Sequence, residues 1–190
     1  MGDPDTTIDV PLYGKLSKAP DANAPLLLVF GGIDVNKISS GHYMWNYMNS
    51  FKDRFHIFVA QSNAVNGLQS YRSLMTIVKA QGLTPSKQIL YLFSGGYRPG
   101  MDLLTGNGPA LFSSIYLVDI WMGDSSVSNF YKALADANMA KITYVYTTNG
   151  AVNQKARDYI ANNVGKSTFV AGKGTDAHMS TNAVAVRNLR

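Results

Sequence analysis

Six short apolar runs alternate with amphipathic segments along this chain, and the alternation constrains its fold more than any other feature. The runs are rich in β-forming residues, and most end at turn residues. They are Leu26 to Phe30, Phe55 to Ala60, Ile89 to Phe93, Ile115 to Val118, Ile142 to Tyr146 and Thr168 to Val170. The segments between them repeat apolar residues every three or four positions, as helices do. The pattern predicts an α/β three-layer sandwich, in which helices cover both faces of a mostly parallel sheet.

The segment before the first run has a different pattern. Ile8, Val10 and Leu12 alternate with polar residues, which predicts a strand, and a turn-rich linker follows from Ser17 to Pro25. With 190 residues, 46% of them hydrophobic and 15% charged, the chain is long and apolar enough for one core. We therefore expect a single domain over residues 1–190, of which 1–25 form an N-terminal strand and linker.

Composition excludes several classes of function. The chain has no cysteine, which rules out thiolate catalysis, disulfides and thiolate zinc sites. Its formal net charge is +5, but the basic residues are scattered, so no nucleic-acid partner is predicted. No apolar stretch reaches the roughly 18 residues of a membrane span, and the polar start is unlike a signal peptide. We expect a soluble chain without metal or cofactor. The sequence does not indicate its compartment or its partner proteins. The residues at both ends are compatible with a domain excised from a longer protein.

The third apolar run of the parallel series ends abruptly at a serine. Ile89 to Phe93 is followed by Ser94, Gly95 and Gly96, which predicts a sharp strand-to-loop turn with Ser94 at its apex. Such a turn holds the apex residue in a strained conformation and projects its side chain outward, while glycine two positions later lets the next helix pass close by. The sequence therefore predicts a nucleophile elbow, with Ser94 as the nucleophile.

A serine hydroxyl needs a base and an acid to become a nucleophile. Asp119 follows the fourth run of the parallel series and His178 follows the last, so both are expected at the edge of the sheet that Ser94 occupies. A chain order of serine, acid and histidine is expected on this architecture. We favour Asp119 as the acid; Asp124 is the main alternative. Asn149, an amide, and Asp176, close to His178, are weaker alternatives.

Two glycines follow the first run of the parallel series and complete the predicted site. Without side chains, Gly31 and Gly32 let backbone N–H groups point at a bound oxygen. We expect an oxyanion hole formed by the N–H of Gly32 or Ile33 together with that of Gly95.

These motifs resemble the α/β-hydrolase superfamily from about Leu26 to the C-terminus, in a compact form without a cap domain. The resemblance rests on four segments of the sequence: Phe30-Gly31-Gly32, Phe93-Ser94-Gly95-Gly96, Leu117-Val118-Asp119 and Gly174-Thr175-Asp176-Ala177-His178. An acid on the strand directly after the serine is similar to the arrangement of thioesterase domains. The resemblance implies a serine hydrolase.

Two residues depart from the family's elbow pattern. The position two before the nucleophile is usually small, but here it is Leu92, whose bulk is expected to crowd the turn and distort the elbow. Pro99 would interrupt a helix that started directly after Ser94. We therefore expect residues 95–98 to form a loop or a single turn, and the helix to begin near Pro99, where proline is tolerated.

The sequence as a whole predicts a serine hydrolase that cleaves an ester, thioester or amide through an acyl-enzyme. Its substrate would be a small-molecule or polymer acyl compound, which the sequence does not identify further. The alternative, suggested by Leu92 and Pro99, is a hydrolase-like domain without activity that binds a partner or ligand. A third interpretation, an anion-cradling loop after Ser94, is weak because no P-loop lysine follows.

Overall fold

The computed structural model of the chain describes residues 6–32, 43–61, 64–107, 111–120, 134, 141–147, 158, 162, 167–171 and 177–189. Twelve helices and strands are bounded within this part of the chain, and they follow one another in this order: β1 (Thr7–Val10), β2 (Gly14–Ser17), β3 (Leu26–Phe30), α1 (Tyr43–Asn49), β4 (His56–Ala60), α2 (Gly67–Ala80), β5 (Gln88–Phe93), α3 (Tyr97–Asn107), β6 (Ser114–Val118), β7 (Lys141–Tyr146), β8 (Ser167–Ala171) and α4 (Ala177–Arg187).

The strands of the described residues form one sheet in the order β1-β2-β4-β3-β5-β6-β7-β8. Every pair from β4 to β8 is parallel, whereas β1 and β2 are antiparallel additions at one side. All six strands predicted from the apolar runs are present, each within one residue of its predicted bounds. They were predictable because strands buried on both faces must be apolar almost throughout.

The core lies in two layers, one on each face of the sheet. On β3, Leu26, Leu28 and Phe30 face one layer, while Leu27 and Val29 face the other, as the two-residue period of a strand requires. The first layer contains apolar residues of α2 and α3, and the second contains those of α1 and α4. This arrangement confirms the predicted three-layer sandwich.

The start of the chain differs from the prediction. The alternating residues do not continue into Leu12: β1 ends at Val10, and Leu12 lies in the turn before β2 with a φ of 70° and 78% exposure. β2 was not predicted, because Gly14–Ser17 is too short to show a pattern of its own. It pairs with β1 on one side and β4 on the other, which satisfies its backbone groups.

The first turn of α2 is joined to the middle of α3. Asn66 caps α2 by accepting the N–H of Gln69 at 2.8 Å, and the Asp102 carboxylate of α3 accepts the N–H of Leu68 at 2.8 Å. Both acceptors satisfy N–H groups that a helix cannot pair internally. The shared cap fixes the start of α2 against α3, the helix that follows Ser94. Two amphipathic segments of the sequence with helical spacing, Val127 to Leu134 and Val152 to Ile160, fall largely outside the described residues.

His56 is a packed strand residue. It is fully buried on β4, where its Nδ1 accepts the N–H of Ala19 at 3.0 Å and its Nε2 donates to the carbonyl of Ala22 at 3.2 Å. This pair of bonds requires the neutral ring. Burial is the main cause that lowers the pKa of His56 below its usual value of 6.5, although the Ala22 bond and Asp21 oppose it.

The fold is therefore expected to lose stability as the pH falls below about 6.5. There the unfolded chain, whose histidine has the ordinary pKa, binds more protons than the folded chain, so the free energy of unfolding rises with pH across that window. Urea midpoints between pH 8 and pH 5 measure this effect. His56→Gln, which can still accept and donate, is expected to flatten the slope; equal slopes in the two proteins would contradict the prediction.

Candidate active site

The order of strands places a crevice between β3 and β5. From β3 the chain moves to β4 on one side, and from β4 it returns across β3 to β5 on the other. Open parallel sheets bind ligands at such a switch point, outside the carboxyl ends of the strands. We call this side of the sheet the carboxyl edge. Gly31 and Gly32 follow β3 there, and Ser94 follows β5.

Ser94 has the backbone conformation of an elbow apex. Its φ is 51°, a left-handed value that costs a residue with a Cβ roughly 1–2 kcal/mol. The residue is half-buried between Phe93 and Gly95, which are both buried. Residues Ser94–Gly96 form a single 3-10 turn between β5 and α3. This is the strand, turn and helix sequence that the motif predicted.

Gly96 allows the turn to cross the end of β3. A Cβ at this position would overlap the carbonyl oxygen of Phe30 and lie 3.0 Å from that of Gly31. Both obstacles are backbone atoms of the neighbouring strand, so they cannot rotate away. The sequence predicted that this glycine lets the next helix pass close by; in the structure, the close approach is between the 3-10 turn and the end of β3.

Leu92 does not distort the elbow, contrary to the expectation from its size. Its side chain is fully buried and packs over Gly100 on α3, where an added Cβ would lie only 2.6 Å from Leu92 Cδ2. The family's pattern has a small residue at position 92. Here the residue is large, and the absence of a side chain at Gly100 leaves room for it. Pro99 lies in the first turn of α3, which begins at Tyr97, two residues before the predicted start. A proline is accepted there because that N–H has no partner within the helix.

Whether Gly100→Ala raises or lowers the free energy of unfolding is expected to depend on residue 92. In the wild-type chain the new methyl group overpacks the contact with Leu92, a cost of about 1–3 kcal/mol that outweighs the gain of about 1 kcal/mol in helix propensity. After Leu92→Ala the space is open, so Gly100→Ala becomes stabilising by about 1 kcal/mol. Urea denaturation of the four proteins in this cycle measures both effects. Additive changes in unfolding free energy would show that the two positions do not share the space.

Gly32 lies directly against Ser94, the predicted nucleophile. A Cβ built on it would be 3.3 Å from Ser94 Cβ and 3.5 Å from Ser94 Oγ, so the backbone after β3 passes beside the hydroxyl. Gly95, the other predicted oxyanion donor, is buried within the 3-10 turn. Gly31 is buried between β3 and Gly32. Ile33 lies outside the described residues.

Asp119 lies one strand away from Ser94. β5 and β6 are paired through Phe93 and Val118, so Ser94 and Asp119 are each the first residue beyond the last pair. Asp119 is only 1% exposed and has a φ of 41°, also a left-handed value. Its Oδ1 accepts the backbone N–H of Thr147 at 3.1 Å and the Thr147 hydroxyl at 3.3 Å, from the residue that follows β7. The alternatives Asp124, Asn149 and Asp176 lie outside the described residues.

His178 is the second residue of α4, which follows β8 after a gap of five residues. The direction of α4 brings this position to the carboxyl edge. At the opposite end of the helix, the carbonyl of Leu189 accepts a bond of 3.3 Å from Arg54, which precedes β4 at the amino edge. α4 therefore runs antiparallel to the strands, and its start lies on the side of the sheet where Ser94 and Asp119 lie.

Two features of this region were missed from the sequence. No role was predicted for Thr147, whose contact with Asp119 depends on the register between β6 and β7, which pairs Val118 with Val145. The complementarity of Leu92 and Gly100 depends on how α3 folds back over β5. Neither arrangement has a short sequence pattern that could have indicated it.

No cluster of three or more metal-ligating side chains lies among the residues that the structure describes. No helix in the same part of the chain is long and apolar enough to cross a membrane.

Comparison of the sequence with protein-family models and with curated proteins found no match. Solved structures do match. The esterase domain of a Rhodothermus marinus protein is 10% identical with a TM-score of 0.61, covering 92% of this chain and 90% of its own. An alpha-beta serine hydrolase homologue from Coxiella burnetii is 12% identical with a TM-score of 0.61, covering 97% and 96%.

A structure of different chemistry is also similar. The 1H-3-hydroxy-4-oxoquinoline 2,4-dioxygenase is 12% identical with a TM-score of 0.54, covering 90% of this chain and 93% of its own. At such low identity a match shows the fold and leaves the chemistry to the site residues. The matches cover nearly the whole of each chain, and they agree with the mostly parallel sheet covered by helices. This chain has the α/β-hydrolase fold.

Proposed function

We propose that this protein is a serine hydrolase that cleaves an ester, thioester or amide through an acyl-enzyme. The observation that carries the proposal is the backbone strain at Ser94, at the end of β5. Of the three non-glycine residues with positive φ among those described, two are the predicted nucleophile and the predicted acid. Strain of this kind persists where the surrounding structure enforces it, and it is concentrated at functional sites.

The proposed reaction follows from the roles of four groups. Ser94 Oγ attacks the acyl carbon while His178 takes the hydroxyl proton, and Asp119 orients His178 and stabilises its charged form. The negative charge on the acyl oxygen is stabilised by N–H groups of Gly95 and of Gly32 or Ile33. His178 then returns the proton to the leaving group, and water repeats the sequence to release the acid and free Ser94.

The packing of Leu92 supports an active site over an inactive one. The alternative of a binding domain without activity rested on a crowded elbow and a helix broken by Pro99. Gly100 provides the space for Leu92, and α3 begins before Pro99 without interruption. Both physical reasons for a damaged elbow are thereby removed.

Labelling with a fluorophosphonate tests the proposal without knowledge of the substrate. An activated serine attacks the phosphorus, fluoride leaves, and the protein gains one phosphonyl group that peptide mapping assigns to a residue. We expect a single adduct on Ser94 in the folded protein and none in a denatured sample. A folded protein without an adduct would contradict the proposal and favour the binding domain. Chromogenic esters, thioesters and anilides of increasing acyl length would then identify the class of bond.

A further inference from the structure

A buried hydrogen bond joins the strand that carries Ser94 to the helix that carries His178. The hydroxyl of Tyr91 on β5 donates to Oδ1 of Asn182 on α4 at 2.6 Å. Tyr91 is fully buried and Asn182 is 3% exposed. The two residues are 91 positions apart in the chain, so this contact belongs to the tertiary structure rather than to local folding.

The bond lies close to both predicted catalytic positions. Tyr91 precedes Ser94 by three residues of extended chain, a distance of about 10 Å. Asn182 follows His178 by four residues, about one helical turn or 6 Å, so the two positions share a face of α4. A bond at this point fixes the first turns of the helix relative to the end of β5.

We propose that Tyr91 and Asn182 are positioning residues that hold α4 so that His178 is in register with Ser94. The proposal rests on the function proposed above. A buried hydrogen bond is directional and has a short optimal length, whereas apolar packing of a helix on a sheet tolerates sliding. In an enzyme of this kind a displacement of about 1 Å between base and nucleophile lowers the rate by about 100-fold.

A second bond on the same helix provides a matched control. The hydroxyl of Tyr116 on β6 donates to the carbonyl of Asn188 at 2.7 Å. Tyr116 is paired with Tyr91 across the strands, and their rings stack at 6.3 Å. Its partner lies ten residues beyond His178, at the far end of α4. Tyr116→Phe therefore removes a similar bond between the helix and the sheet, remote from the predicted base.

The test compares the rate of fluorophosphonate labelling with thermal stability in the wild type, Tyr91→Phe and Tyr116→Phe. We expect both variants to lose stability to a similar degree. Only Tyr91→Phe is expected to label about 100-fold more slowly. With p-nitrophenyl acetate as substrate, the same change is expected in kcat, while KM stays close to the wild-type value. Equal labelling rates in the two variants would overturn the inference.

The double variant Tyr91→Phe/Asn182→Leu distinguishes an effect on the position of His178 from an effect on the stability of the fold. Replacing both partners by apolar groups of similar shape removes the donor and the acceptor of this bond together, so the melting temperature should recover. If the bond positions His178, labelling stays slow despite this recovery; if the rate returns with stability, the residues are merely structural. Absence of labelling in the wild type would instead overturn the proposed function and this inference together.

Discussion

Ser94→Ala is expected to abolish fluorophosphonate labelling and to lower turnover by about 10⁶-fold, the loss seen when the nucleophile of a serine hydrolase is removed. The methyl group occupies the place of Cβ but provides no oxygen to attack the acyl carbon. The fold should be unaffected, because the substitution removes a single oxygen atom from a half-buried side chain and keeps its Cβ. Intact mass after probe treatment and circular dichroism of the same sample measure the two effects.

A second substitution at this position tests the strain. Ser94→Gly also removes the nucleophile, but glycine adopts a φ of 51° without the steric cost of a Cβ. We expect it to be as inactive as Ser94→Ala and more stable by about 1 kcal/mol, as judged from urea midpoints. An alanine variant that keeps wild-type activity would assign the chemistry to another residue. If the glycine variant is no more stable than the alanine variant, the inference that the backbone at position 94 is strained is wrong.

Asp119→Asn is expected to lower kcat by about 10⁴-fold with little change in the structure. Asparagine has the same shape, and its oxygen can still accept both bonds from Thr147. It is also one of the few residues that tolerate the left-handed backbone found at this position. What is lost is the negative charge that orients and stabilises the histidine when it takes the proton of Ser94.

The comparison variant is Asp119→Ala, which loses the charge, both bonds and the tolerance for positive φ. We expect it to be as inactive as Asp119→Asn but also less stable. The pH profile of kcat/KM and thermal melts of both variants distinguish chemistry from folding. Activity of Asp119→Asn within tenfold of the wild type would exclude Asp119 as the acid, and Asp124 would be tested next.

The sheet was predictable from sequence because burial on both faces leaves few polar positions in its strands. β3 and its parallel neighbours appear as apolar runs for this reason, and their ends locate the carboxyl edge. The hairpin of β1 and β2 was only half predicted. It pairs at the side of the sheet, where Leu12 occupies a turn that its apolar character does not suggest.

The positions of the candidate site residues were predictable to the extent that these residues end strands. Ser94 is marked by the change from an apolar run to two glycines, and Asp119 by its place after the next run. Their left-handed backbones and the hydrogen bonds from Thr147 to Asp119 depend on how three strands align. No local sequence pattern indicates that alignment. Leu92 misled for the same reason: its fit depends on a residue eight positions away on another element.

The exchange of volume between Leu92 and Gly100 has an evolutionary consequence. A chain with a smaller residue two positions before Ser94 has room for a larger residue at position 100 on the following helix. The reverse change requires both substitutions in a particular order. Since glycine at position 100 must precede leucine at position 92 to avoid a clash, homologues should show the two sites varying together. Homologues with small residues at both positions 92 and 100 should be the intermediates between this elbow and the more common one.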